Sequence, residues 1–374
     1  MLILKPLSKA WRCKFNYMKK IYLILPILML VLTGCITINT GGSGSAAKNL
    51  GGVFKSVNKG ETWVNASIIS TAGGKASNFN SLNVASLTMD PNDNKAIYYG
   101  SVDNGLLYTY DAGTSWQLDR GLGQGTIESV AVDPKDKCNI FITRKNKIFK
   151  SSDCNRTWTQ IYQDNDQVAT VNRVAVDPLN SSVIYAVISR GDLIKSDDGG
   201  NAWQPINRFE DRVSKLIINN KDSREMFVMT YKKGIYRTSD GGQNWSRMVE
   251  VDNALKDNDM KYDVRDFLVV DNDSGRTVFL ATYYGLLKST DNGLTWIKLE
   301  LLAPEDRATI NALAVNFSNT DEIYYTTNTT FYKSLDGGKS WKTLALPTSR
   351  AGWRLLIDQK NPSVIYLGVV NLNK

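Results

Sequence analysis

Seven octapeptides constrain what this chain can fold into more than any other feature. They are SVNKGETW (56–63), TYDAGTSW (109–116), SSDCNRTW (151–158), SDDGGNAW (196–203), TSDGGQNW (238–245), STDNGLTW (289–296) and SLDGGKSW (334–341), and their closing tryptophans stand 53, 42, 45, 42, 51 and 45 residues apart. Self-similarity at such a period marks one supersecondary unit repeated, and about 40–45 residues is the length of a four-stranded propeller blade. Each octapeptide reads as a tight turn between two strands. Ser/Thr and Asp oxygens accept bonds from turn amides, Gly supplies a positive-φ position, and Trp opens the next strand against a neighbouring sheet. Asn58 replaces Asp in the first copy; in the third, Asn155, which tolerates the left-handed region, replaces Gly. Asn58, Asp111, Asp153, Asp198, Asp240, Asp291 and Asp336 are therefore assigned to turn structure, not to catalysis.

The sequence between the turns supplies three further strand types. Before each turn is a short strand such as GLLYT, KIFKS or GLLKS (strand C), and strand D begins at the Trp. Farther on come apolar strands ending near Asp-Pro or its equivalent, such as VASLTMDP and VNRVAVDP (strand A), then strands such as AIYYGS and VIYAVI (strand B). Each type occurs seven times, the folded part beginning with C and D and ending with A and B. The expected fold is all-β: a seven-bladed β-propeller of four-stranded antiparallel blades over 53–370, its last blade completed by both ends so that no inner edge is left unpaired. Residues 371–374 form a tail.

The octapeptide matches the Asp-box, S-x-D-x-G-x-T-W, and the whole of 53–370 resembles the propeller family of the photosystem II stability and assembly factor and its non-photosynthetic bacterial relatives. Sortilin-type receptor propellers, xyloglucan-cleaving glycosidases and sialidases are more general Asp-box relatives. The resemblance implies a non-enzymatic binding or scaffold protein acting on a protein partner. The alternative it leaves open is a carbohydrate-binding or glycosidase propeller, because one scaffold hosts many functions.

Composition narrows the chemistry. The 374 residues include no histidine, which removes Ser-His-Asp and Cys-His nucleophile systems, two-His zinc sites and imidazole bases. No cofactor or metal is expected. A glycosidase needs only two carboxylates and survives this filter, but a sialidase-like ring has six blades and a xyloglucanase-like enzyme resembles two fused propellers.

The net charge of +8 hints at nucleic acid until the charge is located. Residues 1–34 read as a targeting segment, with basic Lys19 and Lys20, an apolar stretch over 21–32, and Leu32-Thr33-Gly34-Cys35 resembling a bacterial lipobox. That resemblance implies cleavage before Cys35 and its lipidation, which would anchor an exported protein to a bacterial membrane; Met1 and Met18 both remain candidate starts. Six positive residues (Lys5, Lys9, Arg12, Lys14, Lys19, Lys20) and no negative ones lie in this segment, so the chain from Cys35 carries 8 − 6 = +2. Nucleic acid is not an expected partner, and the chain is expected to be a monomer. Residues 35–52, containing GGSGSAAKNLGG, read as a flexible tether. Cys138 and Cys154 fall toward the same end of a B–C hairpin, as a disulfide or as two free thiols.

Aligning the A strands places their second and third residues at the mouth of the central channel. Those columns contain Glu128, Asn172, Arg173, Lys215, Arg265, Asp266, Asn311, Trp353 and Arg354. Four positive and two negative groups converge there, either as a site for an anionic group gripped by guanidinium forks or as a ring of inter-blade ion pairs. The two longest D–A connections, 64–83 and 246–263, open on the same face and offer Phe79 and Tyr262 as loop contacts. The second reads as a solvated acidic loop; it lacks the Gly and distal Glu of a calcium-binding EF-hand loop.

Overall fold

The computed structural model describes residues 48–70, 77–302 and 308–373. The leader, Cys35 and most of the tether lie outside them. Seven four-stranded antiparallel sheets follow one another along the chain, and the seventh is shared by its two ends. In that blade Ala351–Ile357 (A) and Ile365–Val370 (B) come from the C-terminal part, and Val53–Ser56 (C) and Val64–Asn65 (D) from the N-terminal part. Blades one to six, counted from the first complete sheet, cover 84–118, 129–163, 171–208, 213–247, 264–298 and 312–345. The seven-bladed propeller with shared closure is the fold expected from the repeats.

The burial of each strand follows from its place in the blade. B strands such as Ile97–Ser101 and Met226–Thr230 are buried at every position. Sheets cover both their faces, so they read as unbroken apolar runs rather than alternating ones. D strands such as Gln204–Arg208 lie at the outer edge and are mostly exposed. The core is accordingly divided into seven clusters; one packs Tyr98 and Leu106 of blade one against Val130, Ile140 and Ile142 of blade two.

The octapeptide turns repeat one hydrogen-bond pattern. In all seven, the first hydroxyl donates to the third-position Oδ1 at 2.6–2.9 Å and accepts from the fifth-position N–H at 2.8–3.1 Å. The same Oδ1 accepts from the seventh-position N–H at 2.9–3.0 Å, with Asn58 serving as well as the six Asp. Not only the fifth position but also the fourth has positive φ, as at Ala112 (57°) with Gly113 (79°) and Cys154 (58°) with Asn155 (71°). Cys154 thus occupies a strained turn position, and the structure joins it to Cys138 in a disulfide.

The two long D–A connections differ from their expected character. Residues 249–257 are not a solvated loop but helix α1 (Val249–Asp257), which buries Val251, Ala254 and Leu255 against Phe227, Met229 and Leu280. The acidic residues dominate its composition, while its apolar residues fall at i, i+3 and i+4, one stripe of a helix. In the other connection Phe79 is 2% exposed, its ring 5.1 Å from Tyr99 and 5.5 Å from Trp116. It is core, not a loop contact.

Candidate functional site

Register shifts interrupt the A–B pairing near the start of five A strands, at the second residue of four and the third of blade seven's: between Val84 and Ser86, Val171 and Arg173, Val213 and Lys215, Val264 and Asp266, and Gly352 and Arg354. A bulge bends the strand and re-aims side chains. The columns that the sequence aligned at the channel mouth are therefore those the bulges turn.

Part of this ring ties blade to blade. Arg354 Nε donates to Ala85 O at 3.0 Å, Ser86 Oγ to Ile127 O at 2.8 Å and Asn172 Nδ2 to Val213 O at 2.7 Å. Lys215 is ion-paired with Asp266, and Thr326 Oγ1 donates to Gly352 O at 3.0 Å. Asn172, Lys215, Asp266 and Arg354 thus belong to a structural belt around the channel. Asn311 is held by Asn328 at 2.9 Å, and Trp353 packs into the cluster containing Val84 and Tyr99. Arg265 lies 3.7 Å from the ring centre of Tyr283, close enough for cation–π attraction.

Arg265 and Arg173 alike make no hydrogen bond among the described residues and bury an Nε without a partner; Arg265 rests on the Tyr283 ring, while Arg173 opens onto a cavity. With Arg354, Glu128 and Asn172 it lines a cavity of about 350 Å³, whose outer part is formed by Arg212 and Tyr231. The Arg212 guanidinium lies 4.6 Å from the centre of the Tyr231 ring, which is 44% exposed. Three guanidinium groups therefore face one carboxylate.

The electrostatics agree with a positively charged, under-neutralised site. Burial, then the neighbouring Arg173, brings Arg354 down to about 10, which still leaves it charged at neutral pH. Burial lowers Arg173 too, opposed by Asp266, and lowers Lys215, likewise opposed by Asp266. Protein surrounds these groups, yet the channel keeps a strip of each wet, as the 18% and 24% exposure of the Lys215 and Asp266 side chains shows. Glu128 is raised by burial, with Arg354 pulling the other way. A desolvated cation without an anion is costly unless a ligand supplies one.

The structure does not bring Phe79 or Tyr262 to this mouth. Tyr262 packs against the cluster around α1 and donates its hydroxyl to Thr230 O at 3.3 Å. Sequence reasoning missed Arg212 and Tyr231, since only the A strands were aligned and Tyr231 is in a B–C loop. An Arg one residue before strand A and a Tyr just after strand B were the available signals. Among the described residues no group of three or more His, Cys, Asp or Glu could hold a metal ion.

The family described as DUF6242 beta propeller domain matches residues 119–369. The chain belongs to that family. Among curated proteins, this DUF6242 propeller is 28% identical over 139 residues to a xyloglucanase of Hypocrea jecorina, covering 31% of this chain and 17% of that protein. It is 23% identical over 250 residues to a Paenibacillus sp xyloglucanase, covering 55% and 24%. The DUF6242 chain thus spans about a quarter or less of the curated relatives it matches. Among solved structures, the GH74 xyloglucanase of Xanthomonas campestris superposes with TM-score 0.61 at 16% identity, over 77% of this chain and 51% of that one. YCF48 bound to D1 peptide superposes with TM-score 0.59 at 15% identity, over 78% and 94%. The resemblance to assembly-factor propellers read from the octapeptides is thus matched in structure. At these identities the likeness is one of fold.

Proposed function

We propose that this DUF6242 propeller is an exported, lipid-anchored, non-enzymatic binding protein whose channel mouth receives an anionic group of a protein partner, such as a carboxylate-bearing tail. The observation that carries the reading is Arg173, a half-buried guanidinium whose Nε is buried without a hydrogen-bond partner among the described residues, opening with Arg354 and Arg212 onto one cavity. Guanidinium forks are suited to carboxylates. A structural neighbour of similar length was solved with a peptide bound.

The test compares cross-linked partners recovered from cells carrying the wild-type chain and Arg173→Gln. Because Arg173 makes no hydrogen bond among the described residues, the substitution leaves the belt's bonds intact. The partner held by the wild type is expected to fall about tenfold in apparent affinity, the scale of a lost charge-assisted bond. Equal recovery would refute the reading.

The likeness to xyloglucanases favours a glycosidase as the second reading. Two carboxylates, Asp164 and Asp192, do line an open groove, but Arg190 holds both and drives Asp164 down to about 2. A general acid requires a raised value. Reducing ends released from xyloglucan by the purified chain, and lost in Glu128→Gln, would reverse the preference.

A further inference from the structure

The groove containing Asp164 and Asp192 has chemistry of its own. It lies between the outer strands of blades two and three, encloses about 620 Å³ and shares no lining residue with the channel mouth. Its ionic groups are satisfied internally. Arg190 donates Nη1 and Nη2 to Asp164 at 2.8 Å each and Nε to Asp192, while Arg208 Nε stands 3.3 Å from Asp192. Tyr162 adds its hydroxyl to Asp164 at 2.9 Å. Asp164 and Asp192 are 3% and 9% exposed, and Asp166 adds a third carboxylate 4.0 Å from Arg190, so both guanidinium groups are already committed to carboxylates of this chain. Unlike the mouth, this groove has no guanidinium among its described residues left without a carboxylate.

What it offers a ligand is hydrogen bonding from amides along an apolar strip. The side chains of Asn165 and Asn207 make no hydrogen bond among the described residues, and each carries a donor pair beside an acceptor. Tyr162, Ile194, Pro205 and Ile206 supply the apolar surface. The Tyr162 ring is braced against Trp203, centroids 5.6 Å apart. A ligand matching this lining is uncharged, has hydroxyl groups that both donate and accept, and has an apolar face that can lie on the strip. A volume in the small-molecule range, open along one side, suits a short chain better than a compact molecule.

We infer that this inter-blade groove binds a neutral oligosaccharide. The site is independent of the channel mouth and of any hydrolytic activity. The test titrates the purified chain with cellotetraose, maltotetraose, a xyloglucan heptasaccharide and, as the charged counterpart, tetragalacturonate, following binding by calorimetry. At least one neutral sugar is expected to bind, about tenfold more weakly to the Asn165→Ala, Asn207→Ala double variant and equally well to Arg173→Gln. Neither asparagine side chain has a hydrogen bond among the described residues to lose, and an unchanged circular dichroism spectrum would confirm that the variant is intact. Failure of every neutral sugar to bind the wild type, or undiminished binding to the double variant, overturns the inference. Binding of the uronate alone, lost in Arg173→Gln, also overturns it and moves sugar recognition to the mouth.

Discussion

Closure of the ring can be tested at one side chain. Arg350, 6% exposed, donates Nε to Asn49 Oδ1 at 2.8 Å and Nη1 to Leu82 O, Asn83 Oδ1 and Ser81 O at 3.0, 3.0 and 3.2 Å. It thereby ties the strand that enters blade seven and the connection that leaves it to the end of blade six. Nη1 has two hydrogens for three acceptors, so the group amounts to about three charge-assisted bonds, each worth about 1.5–3 kcal/mol net. Leu82 O also accepts from Gly52 N–H at 3.0 Å and would keep that bond. Allowing for water entering the vacated space, Arg350→Ala should cost about 3 kcal/mol. That is a large share of a total stability of about 5–15 kcal/mol. Guanidinium chloride unfolding should show it as a lower midpoint, and calorimetry as a fall of about 6 °C, taking about 2 °C per kcal/mol for a chain of this size. Arg350→Lys should recover less than half, because a point charge cannot replace the planar fork. A loss below about 1 kcal/mol for Arg350→Ala, or a lysine variant as stable as wild type, would show that strand pairing alone closes the ring.

Two further predictions follow from the turns. The Asp-box carboxylates of Asp240, Asp291 and Asp336 are lowered from 3.8 to about 2, each chiefly by bonds from the seventh-position residue, and those of Asp111, Asp153 and Asp198 are also lowered. A lowered folded-state value means that the unfolded chain takes up protons first as pH falls; stability should be fully present above about 4 and decline progressively toward 2, and a midpoint temperature flat across that window would contradict the turn geometry. Cys138 and Cys154 are 16 residues apart, so replacing both with Ser should cost about 2–3 kcal/mol by the loop-entropy argument, and a reducing agent should lower the wild-type melting temperature without affecting the variant.

The ring was legible because it is written seven times. One octapeptide is a weak signal, but seven at a blade's spacing leave little choice of architecture, and the hydroxyl–Asp–amide pattern at Ser196, Asp198 and Ala202 recurs with nearly the same distances at Ser334, Asp336 and Ser340. What occurs once was less legible. Helix α1 interrupts the repeat, and its stripe of Val251, Ala254 and Leu255 is too short to stand out among acidic neighbours. Phe79 looked like an isolated aromatic in a polar loop, because the pocket that takes it, between Tyr99 and Trp116, comes from residues distant in sequence. The A-strand columns were found by alignment, but their division into belt and free groups was not. That division depends on which acceptor in the next blade each bulged residue meets.

The same division indicates why the mouth matters. At the belt level a blade needs one polar link to its neighbour, and Ser86, with its short hydroxyl on Ile127 O, meets that need while burying no charge. Arg173 occupies the corresponding position in blade three, yet the link from that blade is made by Asn172 beside it. The guanidinium therefore bears a desolvation cost that the architecture does not require, and Asp266, the charge that opposes that cost, is already committed to Lys215. Removing Asp266 should sharpen the contrast. Asp266→Asn frees the Lys215 ammonium into a channel already positive, so an anionic partner at the mouth should bind more tightly while the empty ring becomes less stable. A ring whose charges served only its own register would lose stability in the same variant and gain no affinity.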